Sequence, residues 1–399
     1  MHRRFGLVLM LCSVAPLWAE RIVILPFCNR SGLAAYDWIG ESLAESIREA
    51  LGRASVAVVS RDQREAAYEG LGLGRFRPLT KATVWKLSEA SGATTAVFGS
   101  FRVQSASGTS TLELEAQILD RVEWRNGPSF QLQGALDELG RLQDELAWRV
   151  LRALRPGGPD LERLRARRRP VRLDAWEQYI RGLLAETAEQ QHRYFAQAAR
   201  LDENLSQARF LLGKLLWRKK ECRVAAGWLE QVRRDDIHYP EATYLLGLCA
   251  YQAGDYEKAA LSFQTLSRST PAPEVWNNLG ASQSRLNLPE ALDSFRKALE
   301  ASPQDSVYRF NVGYALWRRG AYEAAAEMFR AVLRAQPQDA IAMTMLGRCL
   351  RRSGPGRVES RAEALERLKH NLPAALTEAS ARAQMPASAQ WRPPRAHYN

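Results

Sequence analysis

The sequence predicts two joined folds: a small layered α/β domain, then an all-α superhelix built from repeated helix pairs. Three observations predict it. Small residues recur at Gly182, Gly213, Gly247, Gly280, Gly313 and Gly347, spaced 31–34 residues apart. A second row keeps step, with Ala225, Ala259, Ala291 and Ala325 each four residues ahead of Leu229, Phe263, Phe295 and Phe329. Before these rows, through residue 154, short β-branched runs alternate with amphipathic stretches, the order of a layered α/β unit. A chain of 399 residues holds both, and 46% apolar with 25% charged residues is an ordinary globular composition.

Residues 1–19 open with His2, Arg3 and Arg4, run apolar from residue 5 to 18 and end in Ala19. That is the pattern of a secretory signal peptide, which predicts a mature chain in the periplasm. The competing reading, an uncleaved segment that anchors the chain or retains it in the cytoplasm, meets a run shorter than the ~20 residues of a spanning helix. Leu11 before Cys12 argues against lipid attachment at that cysteine, where a small residue would be wanted. Disulfides persist outside the cytoplasm, and Cys222 and Cys249 stand where they could meet, although small cysteines in helical repeats are usually core filling.

Residues 20–155 form the predicted α/β domain. Residues 21–27, R-I-V-I-L-P-F, read as a buried strand ended by Pro26 and the turn C-N-R-S-G. Ile39, Leu43, Ile47 and Leu51 keep a period of four, a helix from about Asp37 to Gly52. Residues 54–59 read as a second buried strand, and Ser60 with Gln63 as a capping box for the next helix. Thr80 caps a third helix, closed by Gly92. Residues 94–104 and 112–119 make a hairpin with Leu112, Leu114, Ala116 and Ile118 on one face, 129–133 offers a further strand, and 136–154 is an amphipathic helix.

The segments V-I-L-P-F-C-N-R-S-G, W-I-G-E-S-L-A-E-S-I, V-A-V-V-S-R, T-A-V-F-G-S-F and L-Q-D-E-L together resemble the TolB-type amino-terminal domain of bacterial envelope proteins. The resemblance implies docking on a membrane-associated assembly. The family pattern usually carries a Thr-Gly turn and a Trp in its second hairpin, where this chain has Arg121 to Trp124 and Pro128. No β-propeller follows, so the propeller functions of the name-giving protein do not carry over.

Residues 156–172 combine P-G-G-P with Arg163, Arg165, Arg167, Arg168, Arg169 and Arg172. This linker is either a solvated segment or a peripheral contact for anionic lipid headgroups. In residues 173–373 the period, the pairs Leu212 with Gly213, Leu246 with Gly247, Leu279 with Gly280 and Leu346 with Gly347, and the stops Pro271, Pro303 and Pro337 closely resemble the tetratricopeptide repeat. The small residue lets two antiparallel helices approach, the large residue after Ala fills their seam, and stacked pairs share one core. About six pairs are expected, with a shortened connection at 190–202 and a Gly/Pro insertion at 353–360 before a last helix. Residues 374–399, rich in Ala, Ser and Pro, read as a disordered tail.

No catalytic, metal or cofactor constellation is present. His192, His238, His370 and His397 are scattered, Gly70, Gly72 and Gly74 lack the Lys-Ser/Thr ending of a phosphate loop, and Ser100 has no placed base. The formal charge of +12 invites a nucleic-acid reading, but export removes that contact.

The tetratricopeptide resemblance implies that residues three before and one, four and five after the small residue line a concave groove. These are Tyr179 and Leu183; Phe210, Lys214, Trp217 and Arg218; Tyr244, Leu248 and Tyr251; Asn277 and Arg285; Phe310, Tyr314, Trp317 and Arg318; and Arg348, Arg351 and Arg352. Rings and cations dominate, although some rings would instead pack between neighbouring first helices. Such surfaces recognise peptides, with Arg pairing carboxylates. The expectation is a non-enzymatic adaptor that binds an acidic segment of an envelope protein. The alternative is an envelope ligand sensor whose α/β domain binds a small molecule and signals through the repeats.

Overall fold

The structure, a computed structural model, describes residues 21–354 apart from 55, 75, 107–108, 158 and 167–170, together with 365–373 and 376. The signal-peptide reading of residues 1–19 and the tail reading of residues 374–399 lie outside the described residues, except that Leu376 is buried in the core rather than disordered.

The first domain is built around one five-stranded sheet of β1 (Ile22–Ile24), β2 (Cys28–Asn29), β3 (Thr95–Ala106), β4 (Thr109–Asp120) and β5 (Arg125–Ala135). β1 and β2 both run parallel to β3, and β3, β4 and β5 form an antiparallel meander. Leu112, Leu114, Ala116 and Ile118 are all buried, as the alternation predicts. Their face packs against α1 (Asp37–Arg53) and α4 (Leu139–Leu154). α2 (Arg61–Gly70) and α3 (Lys81–Ala90) cover the opposite face where β1 meets β3. The Ser60–Gln63 capping box and the Thr80 cap both form.

The strand expected at 54–59 does not form. Ile22 N–H donates to the Ala57 carbonyl at 2.9 Å and Val59 N–H to the Ile22 carbonyl at 2.8 Å, leaving one isolated bridge between Ile22 and Val58. A three-residue β1 offers too short a template for more. Between β4 and β5 the chain turns through Trp124, which lies in the left-handed region at φ 54° and stacks on Trp85 at 4.7 Å.

α5 (Leu161–Ala166) lies in the linker. The helix pairs follow as α6 (Leu173–Leu184) with α7 (Ala188–Leu201), α8 (Ser206–Arg218) with α9 (Cys222–Leu229), and α10 (Tyr239–Gln252) with α11 (Tyr256–Ser269). α12 (Pro273–Arg285) with α13 (Ala291–Ala301) and α14 (Ser306–Arg318) with α15 (Tyr322–Ala335) come next, and then α16 (Ala340–Leu350). At Gly280 an added Cβ would stand 2.7 Å from the Phe295 ring, so any larger residue would force the ring to move. Cys222 and Cys249 are buried free thiols, with Cys222 Sγ donating to Gln252 Oε1 at 3.0 Å.

The two folds share one apolar core that runs from Ile22 to Leu279 and on to Leu376. The joint is α1, whose polar face is also buried. Trp176 Nε1 donates to Ser42 Oγ at 2.7 Å, Tyr179 hydroxyl to Glu45 Oε1 at 3.2 Å, and Gln207 Nε2 to Glu49 Oε1 at 2.9 Å. Burial opposes the charge on Glu45, but its Arg48 partner outweighs this and holds the carboxyl at about 2.

Valine at Gly280 should lower unfolding free energy by about 1–3 kcal/mol through overpacking against Phe295, read by denaturant titration. His238 supplies a pH test. It stacks on Phe210 at 4.4 Å, and burial followed by Arg48 lowers its pKa to about 3. A depressed folded value means its contribution is complete above the ordinary 6.5 and is lost as pH falls toward 3. Relative to His238→Gln, the natural chain should lose about 2 kcal/mol between pH 7 and pH 5, and parallel pH profiles would contradict this.

Candidate functional site

α10, α12, α14 and the start of α16 line a groove that residues 365–373 follow. Buried polar side chains in this groove need partners. Asn277, Asn278 and Asn311 are each fully buried at 0% exposure, and each finds part of its partnership in the main chain of residues 365–373.

Residues 365–373 carry no regular secondary structure, which corrects the expected last helix. Leu365, Leu368 and Leu372 have helical spacing, yet the segment is not helical. In a helix, however, the segment would satisfy its own main-chain groups and leave three buried amides with only the bonds they make to one another and to Tyr244. Threaded along the groove, Arg367 N–H donates to Asn311 Oδ1 at 2.9 Å while Asn311 Nδ2 donates to the Arg367 carbonyl at 2.8 Å. Lys369 makes the same two bonds with Asn278, at 2.9 and 2.8 Å. Asn277 Nδ2 donates to the Arg367 carbonyl at 2.8 Å, and the Tyr244 hydroxyl to the Lys369 carbonyl at 2.7 Å. Alternate residues face the same side, as an extended chain requires.

Side chains add a second layer. Arg367 pairs with Asp339 through two bonds, at 2.6 and 2.8 Å, and its guanidinium lies 3.6 Å over the Phe310 ring. The Arg367 bond holds the Asp339 carboxyl below the usual carboxylate range. Lys369 Nζ reaches Asp305 at 2.6 Å and stands 5.0 Å over Tyr308. Both aspartates also cap their helices, accepting main-chain N–H groups at the starts of α14 and α16. Glu366 accepts from Ser284 Oγ at 2.6 Å with Arg318 3.8 Å away. Leu368 and Leu372 pack against the core, and Leu376 is buried within it.

The structure brings Tyr244, Asn277, Phe310 and Arg318 onto this segment. Tyr251 and Arg285 gather beside them around Tyr256, with Arg285 4.8 Å over its ring and donating to its hydroxyl at 2.9 Å. Tyr314 and Trp317, three residues apart on α14, are buried and stack at 5.8 Å, and Trp317 Nε1 donates to the Ser353 carbonyl. Arg348 lies 5.7 Å over Trp317. Arg351 and Arg352 are exposed beyond α16, the latter paired with Glu323.

Phe210, Lys214 and Arg218 stand elsewhere. They line a separate cavity of about 370 Å³ against α1, with Glu45, Arg48 and His238. Lys214 pairs there with Glu241 at 2.6 Å, and Trp217 packs half-buried on the core nearby. Sequence reasoning missed Asn278 and Asn311. The signal was present as an Asn two residues before the small glycine in N-N-L-G and F-N-V-G, 33 residues apart.

Among the described residues no group of His, Cys, Asp and Glu could hold a metal ion, and no helix is long and apolar enough to cross a membrane.

The tetratricopeptide repeat family model matches residues 210–273, 244–306, 283–340 and 310–375. The chain is similar to peroxisomal targeting signal receptors of Candida glabrata (30% identical over 102 residues, 25% of this chain and 17% of that protein) and Saccharomyces cerevisiae (33% over 89 residues, 22% and 14%). It spans about a sixth of their length. Among solved structures it is similar to MamA from Desulfovibrio magneticus RS-1, residues 41 to the end, at 19% identity, TM-score 0.38, and coverage of 43% of this chain and 100% of that one. It is also similar to YrrB, described as a TPR protein with an unusual peptide-binding site, at 22% identity, TM-score 0.35, and coverage of 48% and 92%.

Leucine at Asn278 should raise the exchange rate of the Lys369 amide about tenfold or more, because both main-chain bonds are lost. Hydrogen exchange with fragment-level mass spectrometry reads it, and an amide that exchanges at the rate of a free peptide in the natural chain would contradict the geometry. The helix pairs that carry these side chains lie within residues 210–375, the stretch that the tetratricopeptide repeat family model matches.

Proposed function

We propose that the protein is an exported, non-enzymatic adaptor whose concave groove holds an extended segment of a cell-envelope protein. Tetratricopeptide proteins are generally peptide-binding adaptors or scaffolds, and the repeats are present here. One observation carries the reading: a stretch of polypeptide already lies along the groove, held by its main chain through Asn278 and Asn311. Main-chain recognition gives affinity without demanding one sequence, and the flanking carboxylates and cations then select.

Arg318 beside Glu366, with Arg285 adjacent, supports an acidic residue in the partner. The periplasmic address rests on residues 1–19, and the envelope-docking role of the first domain on its TolB-like segments. The sensor reading would use a trough of about 400 Å³ on the sheet face away from α1 and α4, where Arg30, Arg102, Glu113 and Glu115 converge.

The test is crosslinking capture from the native envelope by the natural chain and by Asn278→Ala with Arg318→Glu. The partner bound by the natural chain should fall at least about tenfold in the double variant, as loss of two main-chain bonds and one charge contact requires. Equal capture would place binding outside the groove.

A further inference from the structure

The scaffold reading leaves open what the groove selects and when it is free. We propose that residues 365–371 are an internal competitor for the groove, and that the partner is an extended segment of the same pattern: carboxylate, cation, apolar residue, cation. The inference rests on the scaffold reading and narrows its partner.

Occupancy is the first argument. The amides of Asn277, Asn278 and Asn311 and the hydroxyl of Tyr244 are all committed to residues 367 and 369. A second extended chain cannot use them until the first leaves. The second argument is charge complementarity in a fixed order. The groove presents Arg318 with Ser284, then Asp339, then Asp305, opposite Glu366, Arg367 and Lys369. Leu368 turns between the two cations into the apolar core. A wholly acidic partner would set carboxylates against Asp339 and Asp305, and only its first position would be welcome.

The third argument is the tether. Only residues 355–364 separate the end of the α16 region from the segment. A short tether raises local concentration to the millimolar range, roughly, so an internal segment of modest affinity weakens an external one by about tenfold or more. A partner therefore binds effectively when it matches the pattern better than the chain's own segment, or when several contacts combine.

Fluorescence anisotropy with a labelled peptide, Leu-Glu-Arg-Leu-Lys-His-Asn-Leu, tests this on the full chain. Glu366→Lys, Arg367→Glu and Lys369→Glu together set like charges against Arg318, Asp339 and Asp305 and should release the segment. The released chain should bind the peptide at least about tenfold more tightly than the natural chain, and a charge-swapped peptide should bind at least tenfold more weakly. Equal affinity in the two chains would overturn the proposal, as would a resting dimer whose segments are exchanged between copies. Should the triple variant fold poorly, hydrogen exchange on the natural chain decides: excess peptide must accelerate the amides of Arg367 and Lys369, and unchanged rates would overturn the idea. A released chain that selects unrelated peptides from a random library while ignoring this one leaves the scaffold reading standing and removes only the pattern. Binding of no peptide at all removes both.

Discussion

A buried side-chain amide left without partners costs on the order of 1–3 kcal/mol, and this chain buries three of them on the concave face of its repeats. Asn277, Asn278 and Asn311 cannot all satisfy one another. Asn311 Nδ2 does donate to Asn277 Oδ1 at 2.7 Å, and Asn277 Nδ2 lies 3.1 Å from Asn278 Oδ1, but donors and acceptors remain over. An extended polypeptide offers one N–H and one C=O per residue in the geometry that completes them. The groove is thus built to be filled by main chain, and the identity of the filler becomes a question of affinity and tethering.

Such a groove works only if its helices hold their spacing, and α1 closes the amino end of the stack that sets it. Most helices of a small α/β domain bury one face and leave another to water. α1 buries both, its apolar face in the sheet and its Ser and Glu face against α6 and α8. Arg48 pairs with Glu45 at the joint, and Arg61 and Arg64 of α2 pair with Glu41 within the first domain, which offsets burial of these carboxylates. The first domain therefore caps the repeat stack at its amino end as well as carrying a sheet of its own.

The repeat array was legible because it is written redundantly: the same glycine, alanine and phenylalanine offsets recur with one period. The hairpin and the caps were legible from local chemistry, as in Ser60 with Gln63. Residues 54–59 misled because β-branched composition reports burial, and Val56 and Val59 are buried while the segment makes only one bridge, Val58 to Ile22. Residues 365–373 misled for a deeper reason. The spacing of Leu365, Leu368 and Leu372 satisfies a helical period, yet the same leucines reach the core from an irregular path, and the deciding energy sits in amides far off in sequence. The groove list followed ring and charge and so passed over Asn278 and Asn311, whose value lies in what they offer a main chain.

Zero-length carbodiimide crosslinking of the dilute, intact protein tests the central claim most directly. Lys369 Nζ lies 2.6 Å from Asp305, close enough for an amide to form with no spacer. The account predicts an intrachain Lys369–Asp305 link in the monomer band, lost when Asp305→Asn replaces the carboxylate. Absence of that link from the natural chain, or its appearance only in crosslinked dimers, would contradict a groove filled by the chain's own segment.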